Sequence, residues 1–486
     1  MGTIQSEYSN VSIPPGVNQP GKLRLVLAFV ISTSAMPHRG LPRLHLLPGQ
    51  LSGEDQTGAA AKSEGRGQRL RSRLNPANTK PECPVRPRSG RRAAGRGSPS
   101  RQPARRGVRR RPAVAACPRG GRPALSRALL PLSQQGKILE KMGVCSKIAF
   151  TRYVRSGRRL GPDPRLWQED ARFGRVPVRL YRPRAPSAGL RAGAIFFHGG
   201  GWLYCSIDSH EKICRYIASE SDAVVVSVGY RLAPEHKYPA AYEDCLHATI
   251  HFMNNIEHYG VDPANVIVCG DSAGGNLAAA VSQTLAGRSD LPKLRAQILI
   301  YPGLQALDFN LPSYQQNRGV PLLFRERAAF FALQYLNGDA LHMQEVLEGS
   351  HVPPDMRLKY RKWVSPDNIP EKFKVRGYKP HKLYEFKAEV FEKLKKFFEP
   401  NLCPLLAEDA IVHQLPESFI LTCEYDVLRD DGLLYKKRLE DNGVRVTWYH
   451  LEDGFHGVIT LFDYCGFSFP AGKRGLDSVV KFIKGL

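Results

Sequence analysis

The sequence predicts an α/β fold: a mostly parallel central sheet with helices on both faces, a helical cap inserted late, and a disordered N-terminal arm. Three observations carry this. From about residue 176 onward, short β-branched or apolar runs alternate with helical segments, the rhythm of a parallel sheet covered on both faces. Val266-Ile267-Val268-Cys269-Gly270-Asp271-Ser272-Ala273-Gly274-Gly275-Asn276, followed by Leu277-Ala278-Ala279-Ala280, reads as a strand turning sharply into a helix. Residues 305–410, rich in aromatics and lysine, interrupt the alternation.

The arm comes first. Residues 1–136 carry 24 Lys+Arg against 5 Asp+Glu and the remaining 350 carry 46 against 40, so most of the formal +25 belongs to the arm. Residues 81–130 hold fourteen arginines and one acid among Pro, Gly, Ser and Ala, with no helical or strand period. Such a segment cannot bury enough apolar surface to offset its chain entropy. Runs such as Arg105-Arg106-Gly107-Val108-Arg109-Arg110-Arg111 lack interleaved aromatics or a recognisable fold, so nucleic acid is not the expected partner. The single apolar run, Leu25–Ile31, is too short to span a bilayer as a helix. Lys22 and Arg24 ahead of it and small residues after it resemble a secretory leader with a long, weakly basic n-region. Met1–Ser6 fits the loose myristoylation pattern, and Asn10-Val11-Ser12 is a glycosylation acceptor pattern.

The ordered part, 137–486, is expected as one catalytic domain. Val176–Arg182 alternates as a strand; Ala194–Phe197 and Ala223–Val228 are buried-type strands. Tyr242–Asn254 reads as a helix, Gln297–Tyr301 as a strand after the central strand and its helix. Ser418–Cys423 and Val444–His450 are two more strands, and Ser478–Ile483 is a closing helix. The 305–410 insertion lies between strands ending at Tyr301 and beginning at Ser418. There it would sit over the C-terminal strand ends, where open α/β sheets bind ligands, as a cap shaping an apolar pocket.

The strand–turn–helix stretch contains Gly-x-Ser-x-Gly with Ser272 at its apex. Side chains at 270 or 274 would collide with the neighbouring strand or incoming helix, and the turn holds the serine Oγ clear of the backbone. A serine hydroxyl needs an oriented base. His456, in Asp453-Gly454-Phe455-His456-Gly457 after the strand ending at His450, is the candidate. The orienting acid is expected between them, again after a strand: Asp426 fits. Asp430 and Asp431 compete by position but suit the start of a helix beginning near Gly432. After the strand Ala194–Phe197 comes His198-Gly199-Gly200-Gly201-Trp202. Consecutive glycines leave N–H groups unshielded, so the oxyanion hole is expected from His198, Gly199, Gly200, Gly201 and Ala273, with the N–H groups of Gly199, Gly200 and Ala273 as donors and His198 bracing the loop. Ten scattered cysteines, with no Cys-x-x-Cys pair, give no metal site, and no cofactor is expected.

Together, His198–Trp202, Tyr230-Arg231-Leu232-Ala233-Pro234-Glu235, Gly270–Asn276 and Asp426-Val427-Leu428-Arg429-Asp430-Asp431 resemble the hormone-sensitive-lipase-type carboxylesterases, and among them the arylacetamide deacetylase-like proteins. The resemblance covers roughly 137–486. It implies an α/β-hydrolase fold, hydrolysis of carboxylic esters or aryl amides of small apolar substrates, and Ser272, Asp426 and His456 as the triad. It also implies attachment to the endoplasmic reticulum membrane with a luminal catalytic domain, although the basic arm stands where the family's apolar anchor is usual. In such a lumen Cys205 and Cys423 would be candidates to pair, two separate buried thiols being the alternative. The competing functional reading is a catalytically silent binding protein on the same fold. It has no need of nucleophile, base, acid and glycine loop together.

Overall fold

The computed structural model describes residues 132–486 except 158, 383 and 464–468. The basic arm, with its apolar run, its myristoylation pattern and Asn10, lies outside the described residues. Two helices open the described chain, α1 (Leu132–Lys141) and α2 (Lys147–Arg155), so the first helix starts ahead of the expected Lys137.

An eight-stranded sheet follows, in the order β1-β2-β4-β3-β5-β6-β7-β8. The strands are β1 (Leu166–Phe173), β2 (Val176–Pro183), β3 (Arg191–Phe197), β4 (Val224–Val228), β5 (Val261–Asp271), β6 (Ala296–Ile300), β7 (Glu417–Tyr425) and β8 (Val446–Phe455). β1 and β2 pair antiparallel, as do β2 and β4; every later pairing is parallel. Parallel strands need crossovers. These are α3 (Glu211–Ser221), α4 (Ala240–Asn254), α5 (Ala273–Ala286) and α12 (Arg429–Asp441), with α13 (Pro470–Lys484) closing the chain.

The strand sequences are continuous apolar runs because both sheet faces are covered. Ile195, Phe197, Val226 and Val268 point to one core with Phe252 of α4 and Leu277 and Val281 of α5. Their alternates Ala194, Phe196, Val225 and Ile267 point to a second core with Ile217 of α3 and Leu476 and Val479 of α13. These residues are almost fully buried, each worth about 1.5–3 kcal/mol for a large aliphatic or aromatic side chain.

Between β6 and β7 the chain leaves the sheet. The expected cap contains α6 (Pro312–Gln316), α7 (Arg325–Asn337), α8 (Met343–Glu348), α9 (Pro354–Tyr360) and α10 (Ala388–Leu394), with a short α11 (Asp409–Val412) leading back. Asn276 of α5 fastens both ends of it, its amide donating to Gly303 O at 2.9 Å and Leu402 O at 2.8 Å.

The Cys205–Cys423 pairing is not formed: the seven described cysteines are all free. Cys205 lies in the loop after β3 and Cys423 in β7, and β5 and β6 stand between those two strands in the sheet. A disulfide spans less than about 7 Å between Cα atoms. Among the described residues no helix is long and apolar enough to cross a membrane.

Candidate active site

β5 ends at Asp271 and α5 begins at Ala273, so Ser272 is the single residue of the turn, at φ +56° and ψ −120°. That region is costly for a residue with a side chain and persists only when its surroundings enforce it. They do. Ser272 N donates to Ile300 O of β6 at 2.9 Å. A Cβ on Gly270 would lie 2.2 Å from Gly274 O, and one on Gly274 only 1.9 Å from Phe197 O of β3. The turn closes only because both are glycine.

The structure brings the three expected triad residues together. Ser272 Oγ is 2.8 Å from His456 Nε2, and His456 Nδ1 is 2.8 Å from Asp426 Oδ2. Asp426 is fully buried in the turn after β7, and its Oδ1 accepts the N–H of Leu428 at 2.9 Å. The cap reaches into that turn: Asn317 Nδ2 donates to Asp426 O at 3.0 Å and Ser313 Oγ to Val427 O at 2.5 Å. His456 sits directly beyond β8, with the Tyr301 ring 4.9 Å from its own.

Asp430 and Asp431 do not cap a helix starting near Gly432. α12 begins at Arg429, placing both inside its first turn, and their carboxylates face the cap. Asp430 Oδ2 accepts Ser313 N at 2.6 Å. Asp431 accepts Leu304 N at 2.9 Å, Gln305 Nε2 at 3.1 Å and the Tyr314 hydroxyl at 3.2 Å. Burial raises the pKa of both against these bonds, that of Asp431 to about 7.

The glycine loop requires a correction. Gly199 N does not face the nucleophile; it donates to Asp271 Oδ1 at 2.8 Å. Gly200 and Gly201, at φ +116° and +63°, continue the loop, and neither of their N–H groups, nor that of Ala273, has an acceptor among the described residues. The candidate oxyanion donors are therefore Gly200, Gly201 and Ala273. His198 is a brace, as expected: its Nδ1 is 2.8 Å from Gly199 O, its ring stacks on Tyr230 at 4.3 Å, and the Tyr230 hydroxyl donates to His198 O at 2.6 Å. Burial lowers its pKa to about 4, helped by the neighbouring His210, so it is neutral at physiological pH.

Asp271 was given no role by sequence reasoning. It is 3% exposed and meets three elements: the Gly199 N–H, His210 Nε2 at 3.1 Å, and the Tyr301 hydroxyl at 3.5 Å. Burial acts to raise its pKa, but the His210 ring, the Gly199 N–H and His198 together hold it below the ordinary carboxyl value. The sequence signal was only its place beside the nucleophile; its partner lies 72 residues away.

A narrow cavity of about 50 Å³ opens on Ser272, lined by Gly201, Trp202 and Ala273 from the loop and elbow and by cap residues including Phe309, Tyr314 and Phe331. Among the described residues no group of three or more His, Cys, Asp and Glu is placed to hold a metal ion.

Comparison with known proteins places this geometry. A family model described as alpha/beta hydrolase fold matches residues 194–354 and 374–460. Human arylacetamide deacetylase-like 4 is 49% identical over 351 residues, covering 72% of this chain and 86% of that protein. Rat arylacetamide deacetylase is 45% identical over 296 residues, 60% of this chain and 74% of the relative. Among solved structures, a thermostable carboxylesterase cloned from a metagenomic library aligns at 26% identity with a TM-score of 0.51, covering 73% of this chain and 94% of its own. The chain belongs to the α/β-hydrolase family, among its arylacetamide deacetylase-like members, and is a carboxylic ester hydrolase.

Proposed function

We propose that the chain cleaves esters of small apolar acids or alcohols, and aryl amides of the same size, through an acyl-enzyme on Ser272. The observation that carries this is the relay of two 2.8 Å contacts, Ser272 Oγ to His456 Nε2 and His456 Nδ1 to Asp426, at a strained turn. His456 takes the serine proton as Oγ attacks the carbonyl carbon, then returns it to the departing alkoxide or amine. Asp426 fixes the imidazole tautomer and stabilises its charged form. The N–H groups of Gly200, Gly201 and Ala273 stabilise the charge developing on the carbonyl oxygen, each donor worth on the order of 10²–10³ in rate. Water then attacks the acyl-serine with His456 again as base, releasing the acid. The aromatic cavity lining suits an apolar group beside the scissile bond, and the relatives' printed names support acetyl and arylamine groups among the substrates.

The test is hydrolysis of 4-nitrophenyl acetate, butyrate and octanoate by the full chain beside Ser272→Ala. Turnover lost by about 10⁴ or more in the variant supports the reading. A folded wild type that turns over none of them and takes up no fluorophosphonate is a binding protein, and the proposal falls.

A further inference from the structure

One arginine stands next to cavity-lining residues and is not used by the chemistry above: Arg327 directly precedes Ala328 and contacts Phe331, both of which line the cavity. Arg327 of α7 is half-buried, and its guanidinium lies 5.6 Å from the centre of the Phe331 ring one helical turn on. Its Nη1 donates to Leu322 O at 2.9 Å. Those two neighbours locate it. The Phe331 ring edge is 2.4 Å from where a Cβ on Gly201 would stand, and Leu322 Cδ1 is 3.6 Å from the same point on Gly457, next to His456. Arg327 thus joins a residue packed on the oxyanion loop to one packed beside the histidine loop, and its α7 neighbours Ala328 and Phe331 line the cavity on Ser272.

Arg327 has no carboxylate partner among the described residues. Glu326 beside it faces Arg318 at 3.8 Å and Arg325 at 3.9 Å. Burial and the charge of Arg155 both disfavour the Arg327 cation, and only the Tyr204 ring hydroxyl favours it. Arg155, the exposed last residue of α2, has no acid partner among the described residues either, whereas Arg152 on the same helix is paired with Glu235 at 2.8 Å. A half-buried guanidinium with no counter-ion is costly unless something supplies the negative charge. Arginine's planar fork matches a carboxylate bidentately.

We propose that Arg327 forms a carboxylate-binding subsite beside the cavity, making the preferred substrates esters with an apolar segment beside the scissile bond and a terminal carboxylate beyond it. This rests on the hydrolase reading above. The apolar lining takes the chain, Arg327 takes the charge, and chain length decides whether both are reached.

The test uses mono-4-nitrophenyl esters of linear diacids from glutarate to suberate, each beside the neutral monoacid ester of equal carbon number, with the full chain. The expected result is a chain length at which the acidic ester has the higher kcat/KM at low salt, an advantage that shrinks as NaCl screens Arg327. Arg327→Gln should lower the acidic-to-neutral ratio about tenfold at that length, the worth of one charge-assisted hydrogen bond. Arg327→Lys should keep part of it. If Arg327→Gln does not fold, the wild-type salt dependence and Arg327→Lys decide. Turnover of neutral esters with no charge preference at any length, or a ratio unchanged in the variants, overturns the subsite alone. No turnover of either series overturns the hydrolase reading and the subsite with it.

Discussion

Asp271 ties the oxyanion loop to the nucleophile turn, and its removal tests whether that tie matters to the chemistry. Gly199 is buried, and its N–H has the Asp271 carboxylate as acceptor at 2.8 Å. Asp271→Ala leaves a buried donor unsatisfied, which costs about 1–3 kcal/mol, toward the upper end because the lost acceptor is charged. The loop escapes that cost by shifting until Gly199 finds another acceptor, and Gly200 and Gly201 must move with it. Displacing one oxyanion donor costs on the order of 10²–10³ in kcat. Asp271→Ala is therefore expected to lower kcat roughly 10²-fold, and Asp271→Asn, which keeps an acceptor oxygen but not the charge, roughly tenfold. KM should change little, because the donors act on the transition state. The assay is steady-state hydrolysis of 4-nitrophenyl butyrate together with the rate of fluorophosphonate labelling, which uses the same hole and should slow in parallel. An Asp271→Ala protein with native melting and wild-type kcat would refute the argument.

Two further substitutions test the turn and the cap. Gly274→Ala forces a methyl group to within 1.9 Å of Phe197 O unless β3 or α5 shifts, so it should lower the melting temperature and reduce kcat by at least about 10²-fold; circular dichroism and ester hydrolysis report the two. Asp431, raised to about 7 from 3.8, contributes stability that is complete below the unfolded value and lost as pH rises through about 7. Asp431→Asn cannot titrate. Its melting temperature relative to wild type should therefore rise between pH 5 and pH 8, and a pH-independent difference would count against the buried-acid account.

What the sequence revealed and what it hid divide along range of interaction. The sheet and the elbow were legible because they rest on local signals: apolar runs for β3, β4 and β5, and glycines at 270 and 274 that only a tight turn explains. The positions of Ser272, Asp426 and His456 were legible from their place after strands. Gly199 was expected to be free to hold an oxyanion because its commitment to Asp271 is a tertiary contact with no local trace. Asp430 and Asp431 were misread for a related reason. Asp at a helix start satisfies local capping logic, yet here the cap supplies N–H and hydroxyl groups from more than a hundred residues away. The strand Leu166–Phe173 escaped notice since one face is exposed and its alternation is polar. Helix α3 escaped it because two of its buried positions, Glu211 and Arg215, are charged and paired with each other.

The central claim is that Ser272 is the nucleophile. The most direct measurement is fluorophosphonate labelling of the full chain, with the modified residue mapped by tryptic mass spectrometry in wild type, Ser272→Ala and His456→Ala. The account predicts one label, on Ser272, lost in Ser272→Ala and slowed by orders of magnitude in His456→Ala. A label on another residue, or hydrolysis of 4-nitrophenyl esters undiminished in Ser272→Ala, would contradict it.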